Sequence, residues 1–252
     1  MENLGNKYFK MANNTKGRDS APLYIKAGIE YSISNENYKA ALSFQFGAEE
    51  LLSNNLKHQA ALNYIKASTH YDGIDNSKAI STLTTALKLL NNSKNNKLIA
   101  INLEALALLN HKGNQFLEAI KSYERASKNY TSINMSREAL RCKHNISTIM
   151  IENEEYEKAI IHLEKIEYKN KNIFFDIGIL RLYINDTTAC TEYLMRQTKF
   201  MLTREYFLLN DLIIAVDVKN KSKFRKLLID HNAIFPFQKW QFNLLIIILE
   251  RI

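Results

Sequence analysis

The feature that most constrains the fold of this chain is a helical phrase built around an alanine. Within residues 114–130, NQFLEAIKSYERASKNY, small Ala119 and Ala126 alternate with large Tyr123 and Tyr130 along one helical stripe. Versions of this phrase recur at intervals of 19 to 21 residues, marked by Ala40, Ala60, Ala79, Ala100, Ala119, Ala139 and Ala159. One helix and its turn fit that interval, so the repeat unit is a helical hairpin of about forty residues.

The repeat predicts an all-α fold, a right-handed superhelical stack of tetratricopeptide-like helical hairpins with a C-terminal helical bundle. A first helix over about 2–14 precedes hairpins predicted at about 22–53, 56–91, 97–131, 136–167 and 173–197. Because the period ends near residue 200, we expect a solenoid over 1–199 and a closing bundle over 200–252, in one continuous structural unit.

Three local patterns refine this prediction. Ser20 is the expected N-cap of the second helix, since Pro22 suits the first turn of a helix. In the terminal bundle, we expect helices over 204–218, 222–230 and 238–251. The last of these contains the run Leu244–Leu249, which is apolar on all sides and is therefore expected to be buried centrally.

Composition excludes an all-β fold and leaves the partner open. The chain is 46% hydrophobic, with only seven Gly and two Pro, which is too few turn residues for a sheet protein. The net charge of +8 is spread along the whole chain. Such a diffuse excess favours anionic partners without selecting one, and it is equally typical of solvated helix faces.

Two further patterns predict a soluble protein in a reducing compartment, cytosolic or nuclear. Cys142 and Cys190 form no C-x-x-C motif, which is typical of packed thiols in a reducing compartment. The opening MENLGNKYFK lacks a secretory apolar region, and Leu244–Leu249 is too short to span a bilayer. We therefore expect a soluble protein of the cytosol or the nucleus, whose membrane contact, if any, is peripheral.

The sequence offers little catalytic chemistry. Its glycines are scattered and no G-x-G occurs, which excludes a Gly-rich phosphate loop. The six histidines show no metal-ligand spacing, and no local nucleophile–base pair stands out. The residues therefore predict a binding protein without cofactor or metal, not an enzyme.

Three stretches resemble a known family, the soluble NSF attachment proteins (SNAPs). Residues 19–28 together with 37–41 look like the first hairpin of the gamma-type members. Arg137–Ile166 is similar to the middle repeat of the family. Arg204–Ile252 resembles its C-terminal end, where Trp240 takes the place of the anchor that leads into a final apolar helix. The resemblance extends over nearly the whole chain.

This resemblance implies a function. SNAPs are twisted sheets of tetratricopeptide-like hairpins with a C-terminal helical bundle, and several copies wrap a SNARE four-helix bundle through basic residues on one face. Their C-terminal end recruits NSF, a hexameric ATPase, which pulls the SNAREs apart. Members have no active site of their own. The resemblance therefore implies an adaptor in vesicle fusion and protein transport that is cytoplasmic and peripherally associated with membranes.

Candidate SNARE-facing residues follow from helix geometry and from the resemblance. In the helix predicted over 136–152, Ala139 and Cys142 lie on the inner stripe with Ile146 and Ile149, so the arginines of its first turns face out. The candidates, on the first helices of successive hairpins, are Lys57, Lys66, Lys97, Arg137, Arg141 and Lys143. Taken singly, each is equally typical of an ordinary solvated cation.

Two further contacts are implied by the resemblance. Family members dock on membranes through an exposed apolar loop between their first two helices, whereas residues 13–19 here are short and polar. Substitute contacts are Tyr8, Phe9 and Met11, which are alternatively the inner stripe of the first helix. Alpha-type members end in an acidic tail closed by a leucine. This sequence ends without an acidic run, so the candidate NSF contacts are Asp217, Leu249 and Ile252.

Two other functions fit the pattern less well. A generic tetratricopeptide scaffold would bind short peptides through a carboxylate clamp of Lys, Arg or Asn side chains on adjacent first helices. An RNA-binding repeat protein would have the observed charge excess. However, no pair of base-reading residues recurs in each repeat, and the aromatic residues lie on the stripe predicted to be buried. We therefore expect no nucleic-acid partner.

Overall fold

The protein is all-helical in the part of the chain that the structure describes. The computed structural model describes residues 3–15, 19–91, 95–167, 169–184 and 187–252. Its helices are α1 (Leu4–Asn14), α2 (Ser20–Ile33), α3 (Asn37–Ser53), α4 (Lys57–Tyr71), α5 (Asn76–Leu90), α6 (Asn96–Lys112), α7 (Phe116–Ser132), α8 (Ser136–Glu152), α9 (Tyr156–Glu164), α10 (Lys171–Tyr183), α11 (Thr187–Met195), α12 (Arg204–Asp217), α13 (Lys221–Ile234) and α14 (Lys239–Arg251). The prediction of an all-α fold is confirmed.

Two predicted details were wrong. Ser20 is not an N-cap: α2 begins at Ser20 itself, after Asp19, and the serine is buried. Helix α13 continues four residues beyond the predicted end, to Ile234. The helix ends there because Pro236 disfavours helical geometry at Phe235, whose backbone is extended.

The alanine repeat has the packing role that its spacing predicted. Each of the seven marker alanines is 5% exposed or less. Consecutive helices from α1 to α7 pack against one another in chain order. A methyl side chain allows the next helix to approach closely, while Tyr71 and Tyr130 fill the space beside it and are themselves buried. The repeat therefore specifies helix–helix contact as well as helix formation.

The turns between helices share one backbone conformation. A residue with positive φ follows several helix ends: Asn35, Asn55, Asn114, Asn134, Glu154 and Lys219. After each of them, the next backbone N–H donates to a carbonyl five residues earlier, as from Glu36 to Tyr31 at 2.8 Å. This is the Schellman pattern, which satisfies carbonyls at the helix end. Asparagine occupies four of these positions because it tolerates the left-handed conformation.

By packing, the chain divides into two compact units, one ending at Cys142 and the other running from Lys143 to Ile252; the division falls within α8. In the second unit, α10 is central and packs against α9, α11, α12 and α14. Four residues of Leu244–Leu249 are buried and two are half-buried, so the prediction of a buried run holds for most of it. The separate prediction of a boundary near residue 200 stays a prediction.

A buried polar cluster joins three helices of the second unit. Asp176 of α10 is only 1% exposed. Its Oδ1 accepts a hydrogen bond from Gln241 Nε2 of α14 at 2.7 Å, and its Oδ2 accepts one from His144 Nε2 of α8 at 2.6 Å. A buried carboxylate is tolerated when donors satisfy it, so this cluster ties the terminal helix to the centre of its unit.

Candidate functional site

Three of the predicted cations occupy equivalent positions in the first unit. Lys57, Lys97 and Arg137 are separated by 40 residues each and lie in the first turns of α4, α6 and α8. All three are exposed, and within the described residues none of them makes an ion pair. We call these three residues the cation ladder. The repeat therefore presents a positive charge at the same place on three successive hairpins.

Two other predicted cations differ from the ladder. Lys66 is exposed on α4, and its ammonium lies 5.4 Å from the centre of the Phe44 ring, within the range of a cation–π contact. Lys143 is half-buried and belongs to the second unit, where its carbonyl lies 3.2 Å from His162 Nε2. Lys66 thus presents its charge near the ladder hairpins, while the charge of Lys143 is less accessible.

Arg141 differs most, because its guanidinium is paired. Its Nε and Nη2 donate to the two carboxylate oxygens of Glu104, at 2.7 and 2.8 Å. Tyr130 Oη donates to the same carboxylate at 2.8 Å. Burial and the Glu104 carboxylate raise the pKa of the Tyr130 hydroxyl, and the hydrogen bonds to Glu104 raise the pKa of Arg141. Arg141 therefore joins α8 to α6, and its charge is largely neutralised by Glu104.

Sequence reasoning missed Glu104 and so did not anticipate this pairing. The two residues lie 37 positions apart, on the first helices of successive hairpins. Only the stacking of these hairpins brings them together, and no local motif marks a partner at that separation. The nearest signal is the repeat period of about forty residues, which places residues so separated on adjacent units.

The candidate membrane contacts separate into packed and exposed residues. Phe9 packs against Tyr24 and Phe46, with ring centres 5.5 and 6.0 Å apart. Phe9 thus lies on the inner side of α1, one of the two alternatives that the sequence left open. Tyr8 is half-buried, whereas Met11 is 43% exposed. Of the polar segment 13–19, residues 16–18 lie outside the described part of the chain.

The candidate NSF contacts lie at two helix ends of the second unit. Asp217 is the last residue of α12 and is exposed. Ile252, which follows α14, is half-buried. Leu249 is only 6% exposed and lines a groove of about 700 Å³ between α13 and α14. Its side chain is therefore reached through the groove and not from the outer surface of α14.

Neither metal chemistry nor a membrane span has structural support in the described residues. Among them, no three His, Cys, Asp or Glu side chains are grouped so as to hold a metal ion. Likewise, no described helix combines the length and the apolar character needed to cross a bilayer. Both cysteines are buried, and burial raises the pKa of the Cys142 thiol to about 12, which makes it unreactive at neutral pH.

These features define a class of protein, an α-helical repeat protein built from tetratricopeptide-like hairpins. A crystal structure of the apo form of RapI has the same general fold, with a TM-score of 0.53 at 14% identity, over 92% of this chain and 82% of that one. Sequence comparison is more specific. The family profile described as "Soluble NSF attachment protein, SNAP" matches residues 3–252, and the chain belongs to this family.

Two curated relatives agree with this assignment. The alpha-soluble NSF attachment protein of Vitis vinifera is 27% identical, and the alignment covers 94% of this chain and 87% of the relative. The beta-soluble NSF attachment protein of Bos taurus is 21% identical, with 92% of this chain and 83% of the relative covered. The similarity thus extends through both compact units.

Proposed function

We propose that this protein is an adaptor that binds assembled SNARE complexes and recruits an NSF-type hexameric ATPase for their disassembly. The observation that carries the proposal is the match to the SNAP family from residue 3 to residue 252. The cation ladder supports it, because three positive charges that make no ion pair with a described residue recur at equivalent positions of stacked hairpins. In this proposal the chain supplies binding surfaces, and the ATPase supplies the chemistry.

Electrostatics favours the ladder as the SNARE-facing surface. A SNARE four-helix bundle is acidic, so a row of exposed cations attracts it and sets its orientation. Exposed charges act mainly on the rate of encounter and are screened by salt over about 8 Å at physiological ionic strength. Lys66 adds to this surface. The paired Arg141 and the half-buried Lys143 are expected to contribute less.

The remaining contacts are proposals of the same kind. Asp217, with Leu249 and Ile252, is proposed to face the ATPase. Met11 is proposed as the main membrane contact, with Tyr8 beside it and Phe9 held inside by its aromatic neighbours. Under this proposal the protein is cytoplasmic and reaches membranes through its SNARE partners and α1.

A matched pair of charge-reversal variants tests the SNARE-facing surface. The first replaces all three cations of the ladder with Glu. The second variant is the control and replaces three other cations with Glu. These are Lys88, Arg125 and Lys128, which are exposed on α5 and α7, the second helices of their hairpins. Both variants change the net charge equally. We expect the ladder variant to lose co-sedimentation with a preassembled SNARE bundle, and the control variant to retain most of it.

The two variants, together with binding assays for short peptides and for single-stranded RNA, separate the other functions that the sequence left open. Equal loss in both variants would mean that only total charge matters and would contradict the ladder. Capture of short peptides in place of coiled coils would favour the tetratricopeptide scaffold. Binding of single-stranded RNA at physiological salt would favour the RNA-binding protein.

A further inference from the structure

The groove between α13 and α14 is a second surface with the features of a binding site. It lies within the second unit and has a volume of about 700 Å³. One wall is a ridge of α13 formed by Lys221, Arg225 and Ile229. The opposite wall is a ridge of α14 formed by Phe242, Ile246 and Glu250. Each ridge follows the i, i+4 spacing of a helix surface.

The shape of the groove suits a helix. Ridges with i, i+4 spacing on both walls are the surfaces against which a third helix packs, with its own ridges between theirs. The α13 wall extends over nearly the length of that helix, from Lys221 to Ala233, which is about 20 Å at 1.5 Å per residue. An occupant of about 14 residues would therefore fill it.

The walls expose apolar surface, although the ring of Phe242 also lies 6.4 Å from that of Phe237, centre to centre. Ile229 is 62% exposed and Phe242 is 37% exposed, although both lie along a concave groove. Exposed apolar patches of this kind mark interaction sites in soluble proteins. Since the apolar side chains line a concavity and do not project from a flat face, the geometry favours a helix over a bilayer surface.

The charge at one end of the groove specifies the occupant further. Lys221 and Arg225 make no ion pair with any described residue, unlike Lys223, whose ammonium lies 3.6 Å from Asp211. Glu250 is the one carboxylate among the lining residues, so cations outnumber it at that end. An occupant with carboxylates there would meet complementary charge.

We propose that this groove binds an amphipathic helix of a partner protein, with large apolar side chains at i, i+4 and i+7 and with carboxylates at one end. The proposal goes beyond the adaptor function and does not depend on it, since it uses none of the ladder cations. Leu249 is shared with the proposed ATPase contact, so the test uses the full chain with neither SNAREs nor ATPase present.

Fluorescence anisotropy with a labelled peptide tests the proposal. The probe is a helical peptide of about 14 residues with Leu at the apolar positions and Glu at one end. We expect micromolar binding that Ile229→Glu and Arg225→Glu each weaken at least tenfold, a change of about 1.4 kcal/mol. Matched controls on the same helix, Ile234→Glu and Lys226→Glu, lie outside the groove lining and should retain wild-type affinity.

Three outcomes would overturn the proposal. The first is no binding at a peptide concentration of about 1 mM. The second is equal affinity for a peptide with Lys in place of Glu. The third is binding to phosphatidylserine vesicles that Arg225→Glu abolishes, with no peptide binding, which would make the surface a membrane contact. Circular dichroism checks that each variant is folded, and Arg225→Glu keeps the test decisive if Ile229→Glu unfolds.

Discussion

Removal of the buried Asp176 carboxylate should destabilise the second unit severely. Asp176→Ala removes the acceptor of two hydrogen bonds, those from Gln241 and His144, and leaves the Gln241 amide buried without that partner. A hydrogen bond to a charged group contributes about 1.5–3 kcal/mol, so the loss of both should cost about 4 kcal/mol. That is a large fraction of a typical stability of about 5–15 kcal/mol.

Trp240 provides the assay, because it is the single tryptophan of the chain and lies beside Gln241. Its fluorescence during urea unfolding reports on the second unit even if the two units unfold separately. With a urea dependence of about 2 kcal/mol per M, the midpoint should fall by about 2 M in Asp176→Ala. Asp176→Asn keeps an acceptor oxygen, so it should lower the urea midpoint by less than half as much as Asp176→Ala does.

Asp230→Ala is the matched control, since Asp230 is exposed on α13 and should change the stability by no more than about 0.5 kcal/mol. The reasoning would be refuted if Asp176→Ala shifted the midpoint no further than this control. It would also fail if Asp176→Asn were as destabilising as Asp176→Ala, because the loss would then not come from missing acceptors.

Three further predictions concern single positions. Glu154→Asn should raise the stability by about 0.5 kcal/mol in urea unfolding, because φ is 60° at Glu154 and asparagine tolerates that conformation; a loss of stability would contradict this. Gly178→Ala should lower the free energy of unfolding by about 1–3 kcal/mol, since the added Cβ would lie 1.9 Å from Leu209 Cδ2, and it should cost less in a Leu209→Ala background; a gain of about 1 kcal/mol, as in an open helix, would refute the contact. Burial alone would raise the pKa of the Glu205 carboxyl, but its hydrogen bond from Lys171 at 2.6 Å contributes to a net pKa below the usual range. Glu205 should therefore stabilise the fold above about pH 4.3 and lose that effect as the pH falls through its folded pKa. Glu205→Gln should then flatten the acid side of the curve of unfolding free energy against pH. An unchanged curve would contradict this.

Much of the fold could be predicted because the repeat imposes the same environment at each period. Ala40 and Ala159 lie 119 residues apart, yet both are fully buried at helix contacts. Most helix bounds follow from the same period, and α8 lies at the predicted residues 136–152. The later part of the chain lacks a period. The extra turn of α13 was therefore missed, because its end is set by Phe235–Pro236 and not by hydrophobic spacing.

The candidate surfaces could be predicted only in part. Lys57 and Arg137 are exposed as expected, because outward positions follow directly from the buried stripe. The pairing of Arg141 with Glu104 and the groove that Leu249 lines were not foreseen. Both depend on which side chains meet across different helices. A single sequence carries no local signal for such pairs.

The most direct test of the proposed adaptor function is a pull-down of a preassembled SNARE bundle with this protein and an NSF-type ATPase, at low and at physiological salt. The proposal predicts that the bundle retains this protein, that the ATPase is retained only when this protein is present, and that added salt weakens the first step. A bundle that retains none of this protein at low salt would contradict the adaptor function.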